Sequence, residues 1–540
     1  MNDSNGDNPF IAMAELWTQG AKAYTQSMQS FIDAANDVAK GGHADGVDPV
    51  KAAQTTAKQW AEAVTKLSAL GPQMLESLFK DLPRTVGDRI DAQTFSQMGR
   101  MAEARWEEDI RRLSEIPVEL TEHFAATDME RVARLLSSMS AEYIHNLEQV
   151  GGMATKLNVE PIVNAFMQLA NGKSDERSVK IVDRLLKSTV TKLKYGTEYF
   201  ADPEETEVGQ SPRVAVHEIG KATLYRYTPP EDSGERKGDP LLLVYSIINR
   251  PYILDLVPGY SFVEHLLSQG LDVYLIDWGE TEPGDRTTTL DSYVDPVIRS
   301  CVGAIKDRTG AERVSLFGHC IGGNMALLYA SLYPEDVARV LTLTTPITAG
   351  EGGVVALWTD RDLFPVDTVV ETFGHMPAKL IRYTFIALKP YYEVLKWKMY
   401  IENIHDDAVI DFFHVVDRWA NDNVDLPGEV FRKFVVEVFH EDRFRRGETR
   451  INGRVADIGA VTCPVYNLAA SKDWIVPPAS TSVLADSVGS DENFYTLIDG
   501  SHVAIMIEPR LRHHWTDMSD FMLGRAPTNV SDPHRGDADA

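Results

Sequence analysis

Cysteine is scarce in this chain. There are three, Cys301, Cys320 and Cys463, in 540 residues. An odd and sparse count gives no disulfide framework and points to a reducing cytoplasm. No CxxC pair or clustered Cys/His spacing suggests zinc. Basic residues are outnumbered, 53 Lys and Arg against 80 Asp and Glu, for a net charge of −27. That balance argues against nucleic acid as the main partner. Long apolar runs are also missing, so no transmembrane segment is expected. The opening stretch, MNDSNGDNPF, is acidic and polar, unlike a signal peptide.

What remains is an ordinary globular composition, 44% hydrophobic and 25% charged, with enough length for more than one domain. Phe10, Met13, Trp17, Tyr24, Met28 and Phe31 fall along one helical stripe. It is read as a helix packed on its own domain, with a partner-binding helix as the alternative. Residues 41–48 read as a linker, and the chain to about residue 199 is helical in pattern, broken only by short Gly-Pro, Gly-Gly and Asn-Gly signals. Residues 1–200 are therefore expected to form a helical N-terminal accessory domain.

From residue 201 the pattern changes. Strand-like runs fall at 223–227, 241–245, 273–276, 314–317, 340–343 and 465–468, with helical patterns between several of them. Strands alternating with helices predict a parallel α/β sheet, entered by antiparallel strands. An aromatic-rich insertion at 346–455 predicts a cap over the site, within a catalytic domain spanning 201–523. The Pro/Gly/Asp-rich tail at 524–540 reads as disordered.

The organising stretch is 314–333, VSLFGHCIGGNMALLYASLY. A short apolar strand, a glycine-flanked turn and a helix make a nucleophile elbow, with Cys320 where serine is usual. Side chains beside a nucleophile on so tight a turn would clash, hence glycine. The helix N-terminus behind Cys320 favours a thiolate. A thiol needs a base, and the base needs an orienting acceptor. Asp473 follows the 465–468 strand, and His502 follows the strand-like run at 494–498. The order nucleophile, acid, histidine is that of α/β hydrolases. The oxyanion hole is expected from the Ile321 N–H and from the loop after residue 245, with Ile248 preferred and Ile247 beside it. Asn249 and Tyr252 are read either as substrate-facing or as turning the chain. Cys301 and Cys463 read as structural. His319 points away from its neighbour and is not taken as the base. Asp277 and Trp278 either line the pocket or only turn. His513 and His514 read as surface.

A thiolate nucleophile forms a thioester, which stays energetic enough to pass its acyl group to an alcohol. Cysteine in this fold therefore suits acyl transfer from coenzyme A better than ester hydrolysis, with a cap to exclude water.

The chain resembles polyhydroxyalkanoate synthases, which polymerise (R)-3-hydroxyacyl-CoA into storage polyester. The resemblance is carried by EVGQSP at 207–212, VYSIINRPYILDL at 244–256, GLDVYLIDWG at 270–279, GHCIGG at 318–323, TPI at 345–347, SKDWIVPP at 471–478 and GSH at 500–502. It covers roughly residues 200–520, and the catalytic part is most similar to the shorter, two-subunit (class III) type. It implies an α/β-hydrolase fold in which Cys320 carries the growing chain and His502 deprotonates it. Asp473 would help His502 activate the 3-hydroxyl. It implies no metal or bound cofactor, with coenzyme A as leaving group, and a homodimer at the surface of cytoplasmic polyester granules. A helical partner subunit or granule proteins are possible partners, since the 200 leading residues depart from the short type. Trp474 stands where the family often has histidine. The rival readings are a hydrolase of the same fold (thioesterase, esterase or polyester depolymerase) and a non-catalytic granule-associated protein.

Overall fold

The computed structural model describes residues 208–230, 236–349, 366–378, 381–382 and 407–534. The expected helical domain at 1–200 and much of the expected cap lie outside the described residues. Contacts divide the chain into two units, Met1–Pro203 with Ile386–Phe413, and Glu204–Phe385 with His414–Ala540.

The second unit is built on an eight-stranded sheet. Its strands are β1 (Arg213–Ile219), β2 (Ala222–Tyr227), β3 (Leu241–Val244), β4 (Val273–Asp277), β5 (Val314–His319), β6 (Val337–Leu343), β7 (Val465–Ala470) and β8 (Asn493–Ile498), in the order β1-β2-β4-β3-β5-β6-β7-β8. The first two pairings, β1 with β2 and β2 with β4, are antiparallel, and every later one is parallel. The central strands β3, β5 and β7 are buried along their whole length, as a parallel sheet covered on both faces requires. That burial explains their near-continuous apolar runs, legible in the sequence where strict alternation would not be.

Helices α1 (Phe262–Ser268), α2 (Arg299–Thr309) and α3 (Ile321–Leu332) connect the first half of the sheet. Ser261 caps α1 by accepting from the Glu264 N–H, and Gly310 ends α2 in the left-handed conformation. Cys301 lies fully buried in α2, as expected of a core residue. In the insertion after β6 come α4 (Val366–Phe373), α5 (Asp407–Asn421) and α6 (Gly428–Phe434). Helix α7 (His513–Met522) follows β8.

Two expectations need correction. His514 is buried on α7, not at the surface. The tail is ordered as far as residue 534: Thr528 donates through its N–H and hydroxyl to Asp517 on α7 (3.0 and 2.6 Å), and Ser531 N–H donates to Tyr495 O (2.7 Å). Leu497 N–H donates back to Ser531 Oγ at 3.1 Å. Residues 528–531 thus cover the outer edge of β8, satisfying a strand edge that would otherwise stand open. A composition poor in apolar residues hid this, because main-chain pairing and one buried acid hold the strap.

Candidate active site

Parallel register brings the ends of β3, β5, β6, β7 and β8 to one edge of the sheet. Val244 pairs with Gly318, His319 with Leu343, and Ala470 with Ile498. Side chains just past these positions converge, and sites in open α/β sheets form there.

Cys320 sits between β5 and α3 with φ 52° and ψ −127°, a strained conformation for a residue bearing a Cβ. The surrounding packing over-determines it. Cys320 N–H donates to Leu343 O at 2.9 Å, and Gly323 N–H donates to Cys320 O at 2.9 Å. A Cβ at Gly318 would lie 2.3 Å from Gly323 Cα; at Gly322 it would lie 2.0 Å from Val244 O; at Gly323, 1.9 Å from Thr345 Oγ1. All three glycines are therefore steric requirements of the turn. Cys320 is buried, 8% exposed, with the N-terminus of α3 directly behind it. The first N–H groups of a helix have no intrahelical acceptor, and Ile321 is the first residue of α3.

The loops after β7 and β8 are tied together. Ser471 N–H donates to Ile498 O (2.8 Å) and Lys472 N–H to Gly500 O (2.9 Å). This sets Asp473 and His502 side by side, with His502 Nδ1 hydrogen-bonded to Asp473 Oδ2 at 2.6 Å. The other carboxylate oxygen accepts from the N–H groups of Ile475 and Val476, both at 2.9 Å. Asp473 is thus aimed by its own loop, on which Pro477 and Pro478 follow. The Cys320 side chain is close enough to His502 to act on its charge. Burial alone would lower the His502 pKa. The Asp473 charge and hydrogen bond, with the Cys320 contact, outweigh it and raise the imidazole to about 10. Asp473 and His502 are thus a hydrogen-bonded pair at the sheet edge that also carries Cys320.

The other expected residues fall as follows. Ile248 N–H donates to Ser246 Oγ at 3.2 Å, so it is engaged within its own turn. Asn249 bridges to Asn423 in antiparallel fashion, and Tyr252 donates to Asp422 Oδ2 at 3.0 Å. Arg250 Nε reaches Asp422 at 3.3 Å, and Trp419 Nε1 donates to Arg250 O at 2.9 Å. Asp277 accepts from Gly279 N–H at 3.1 Å, a turn contact. Trp278 Nε1 donates to Tyr245 O at 3.0 Å. Cys463 is partly buried, and burial pushes its thiol up to about 11. Two residues were missed as a pair: Tyr245 and His319 stack beside the nucleophile, ring centroids 5.0 Å apart and nearly parallel. No short sequence motif signals such a pairing across two strands. Among the described residues, no group of three or more His, Cys, Asp or Glu is placed to hold a metal, and no helix is long and apolar enough to cross a membrane.

A model of the alpha/beta hydrolase fold matches residues 239–509. The poly(3-hydroxyalkanoate) polymerase subunit PhaC of Allochromatium vinosum is 32% identical over 344 residues, covering 63% of this chain and 96% of the relative. The chain belongs to the PhaC polymerase family. PhaC of Haloferax mediterranei is 32% identical over 334 residues, covering 61% of this chain and 67% of that one. PhaC of a Synechocystis species is 34% identical over 291 residues, covering 52% of this chain and 76% of its own length. These pairings cover between 52% and 63% of the chain. Membership in the PhaC family makes the chain an enzyme of polyester synthesis on an α/β-hydrolase scaffold, with the Cys320 elbow, Asp473 and His502 inside the matched residues.

Proposed function

We propose that this chain is a poly(3-hydroxyalkanoate) synthase that polymerises (R)-3-hydroxyacyl-CoA through an acyl group carried on Cys320. The observation that carries the reading is a thiol, not a hydroxyl, on the elbow of a PhaC-family chain, in contact with the His502–Asp473 pair. The proton of the Cys320 thiol rests on His502, whose positive ring the Asp473 charge favours, so the pair enters the reaction as thiolate and imidazolium. The thiolate adds to the thioester carbonyl, the intermediate collapses, and coenzyme A leaves as its thiol with the proton from His502. In the second half, His502 takes the proton of a 3-hydroxyl, whose oxygen attacks the Cys320 thioester. An ester bond forms, the C–S bond breaks, and the proton returns to the sulfur. Asp473 accepts from the imidazole Nδ1–H and stabilises the positive ring in both halves.

The oxyanion is held by the Ile321 N–H at the helix N-terminus. A second backbone donor comes from the 246–249 loop: Ile248 once it gives up its long bond to Ser246, or Ile247 beside it. Asn249 and Tyr252 act by fixing this loop, a reading favoured by their pairings with Asn423 and Asp422. The protein works as a homodimer on cytoplasmic polyester granules, with a helical partner subunit or the leading 200 residues in the accessory role.

The test is product analysis. Purified full-length chain, given (R)-3-hydroxybutyryl-CoA alone, releases coenzyme A with matching formation of insoluble polyester, and Cys320→Ala makes none. Release with only free 3-hydroxybutyrate would make it a thioesterase. Soluble chain that needs a second protein before polymer forms would place an obligatory partner in the system.

A further inference from the structure

The phenol of Tyr245 is a buried polar group with no partner. The residue follows β3 directly, is fully buried, and its hydroxyl oxygen meets no hydrogen-bonding atom in good geometry. The Trp419 indole faces it, but that N–H is committed to Arg250 O at 2.9 Å. A buried hydroxyl without a partner destabilises a fold unless something outside the chain completes it. Its neighbours indicate what does. The phenol is within electrostatic reach of the Cys320 sulfur. Its main chain abuts the elbow, since a Cβ on Gly322 would lie 2.8 Å from the Tyr245 carbonyl carbon. Tyr245 therefore approaches Cys320 from the β3 side, where the oxyanion loop begins, whereas His502 and Asp473 approach from β7 and β8. On that side the Ile248 N–H is already engaged.

We propose that the Tyr245 hydroxyl is a further catalytic group, donating a hydrogen bond to the thioester carbonyl oxygen as it becomes an oxyanion on Cys320. This rests on Cys320 being the acyl carrier. In the step, a sulfur electron pair of Cys320 forms the new bond to the carbonyl carbon, and the C=O π pair moves onto oxygen. That oxygen accepts from Tyr245 and from the Ile321 N–H. On collapse the pair returns, the bond to the coenzyme A sulfur breaks, and the thiol departs with the proton held by His502. Tyr245 keeps its own proton throughout, because burial, then the nearby thiol, hold its phenol well above the ordinary range. His319 is a positioning residue. Stacked on the phenol at an interplanar angle of 2° and set edge-on to His502 at 5.2 Å, it fixes the plane of the ring. Burial, then the nearby His502, push its own pKa well down, so it adds no competing positive charge.

The test is Tyr245→Phe in the full-length chain, with kcat for coenzyme A release from (R)-3-hydroxybutyryl-CoA and the melting temperature measured beside the parent and Cys320→Ala. The expected result is a fall in kcat of tenfold or more with a melting temperature equal to or above the parent's. A smaller fall overturns the assignment. A merely structural tyrosine gives the opposite pattern, because removing an unpartnered hydroxyl stabilises the fold and leaves the rate alone. If phenylalanine lowers the melting temperature, 3-fluorotyrosine at position 245 decides, since it nearly preserves the shape and acidifies the donor. A changed kcat then supports the proposal, and an unchanged one overturns it. Parental coenzyme A release by Cys320→Ala would instead remove the acyl carrier, and the assignment with it.

Discussion

Asp473 has every hydrogen-bonding direction it needs inside its own neighbourhood. One oxygen holds two backbone N–H groups and the other holds His502. The acid can therefore orient the imidazole without any contribution from solvent, and its charge keeps His502 protonated well above the ordinary histidine range. The sign of the linked stability follows from that direction. A group whose pKa is raised on folding stabilises fully below its unfolded value of about 6.5, and the contribution is lost as pH rises toward about 10. For a shift of this size the loss is on the order of several kcal/mol at most. Asp473→Asn removes the cause, so its melting temperature should vary less between pH 7 and pH 10 than the parent's. Its kcat should fall by about 10²- to 10⁴-fold. Thermal melts at three pH values and initial rates of coenzyme A release check both. An equal pH dependence in the two proteins would contradict the assigned origin of the shift.

These residues were legible because their signals are local. Cys320, Asp473 and His502 each follow an apolar strand within a few residues, and glycine or proline marks each turn. Tyr245 and His319 carry no such mark. Each follows or ends a central strand as an ordinary core aromatic would, and only the register of Val244 with Gly318 brings them face to face.

At the scale of elements, the loop after β3 owes its shape to a segment some 170 residues away. Residues 419–424 grip it through five contacts: Trp419 to Arg250 O, Asp422 to Arg250 and to Tyr252, Asn423 to Asn249, and Val424 N–H to Ile248 O at 2.8 Å. The end of α5 thus sets where the 246–252 loop lies. Asp422→Ala would free two of these contacts, and neither touches Cys320. The expected result is a fall in kcat of about tenfold, since small displacements of oriented groups are costly in catalysis. Stability should fall by only about 1–3 kcal/mol, the scale of side-chain hydrogen bonds to a charged partner. Steady-state kinetics with denaturant unfolding separate the two, and a stability loss with full kcat would break the link between this strap and the loop. Nothing in the sequence near residue 422 announces the contact, because pairings of such separation leave no local pattern. The strand boundaries show the complementary success. The predicted runs at 273–276 and 465–468 lie inside β4 and β7, each extended only by residues at the sheet edge. Strand β1, largely exposed and without a clean alternation, went unrecognised.

At the scale of the whole molecule, the sheet and its closing strap are one device for holding a strained thiol. The parallel centre supplies an edge where strand ends converge, the antiparallel entry closes one side, and residues 528–531 cover the other. The chain spans 96% of the Allochromatium vinosum PhaC with 63% of its own length. Tyrosine, histidine and aspartate contribute only if an acyl group passes through Cys320. The most direct measurement is therefore intact mass spectrometry of the purified chain, quenched in acid after brief exposure to (R)-3-hydroxybutyryl-CoA, with the modified residue located by peptide mapping. The account predicts added 3-hydroxybutyryl units on Cys320 that lengthen with time, and none in Cys320→Ala. An unmodified Cys320 while coenzyme A is being released, or an acyl group on another residue, would contradict it.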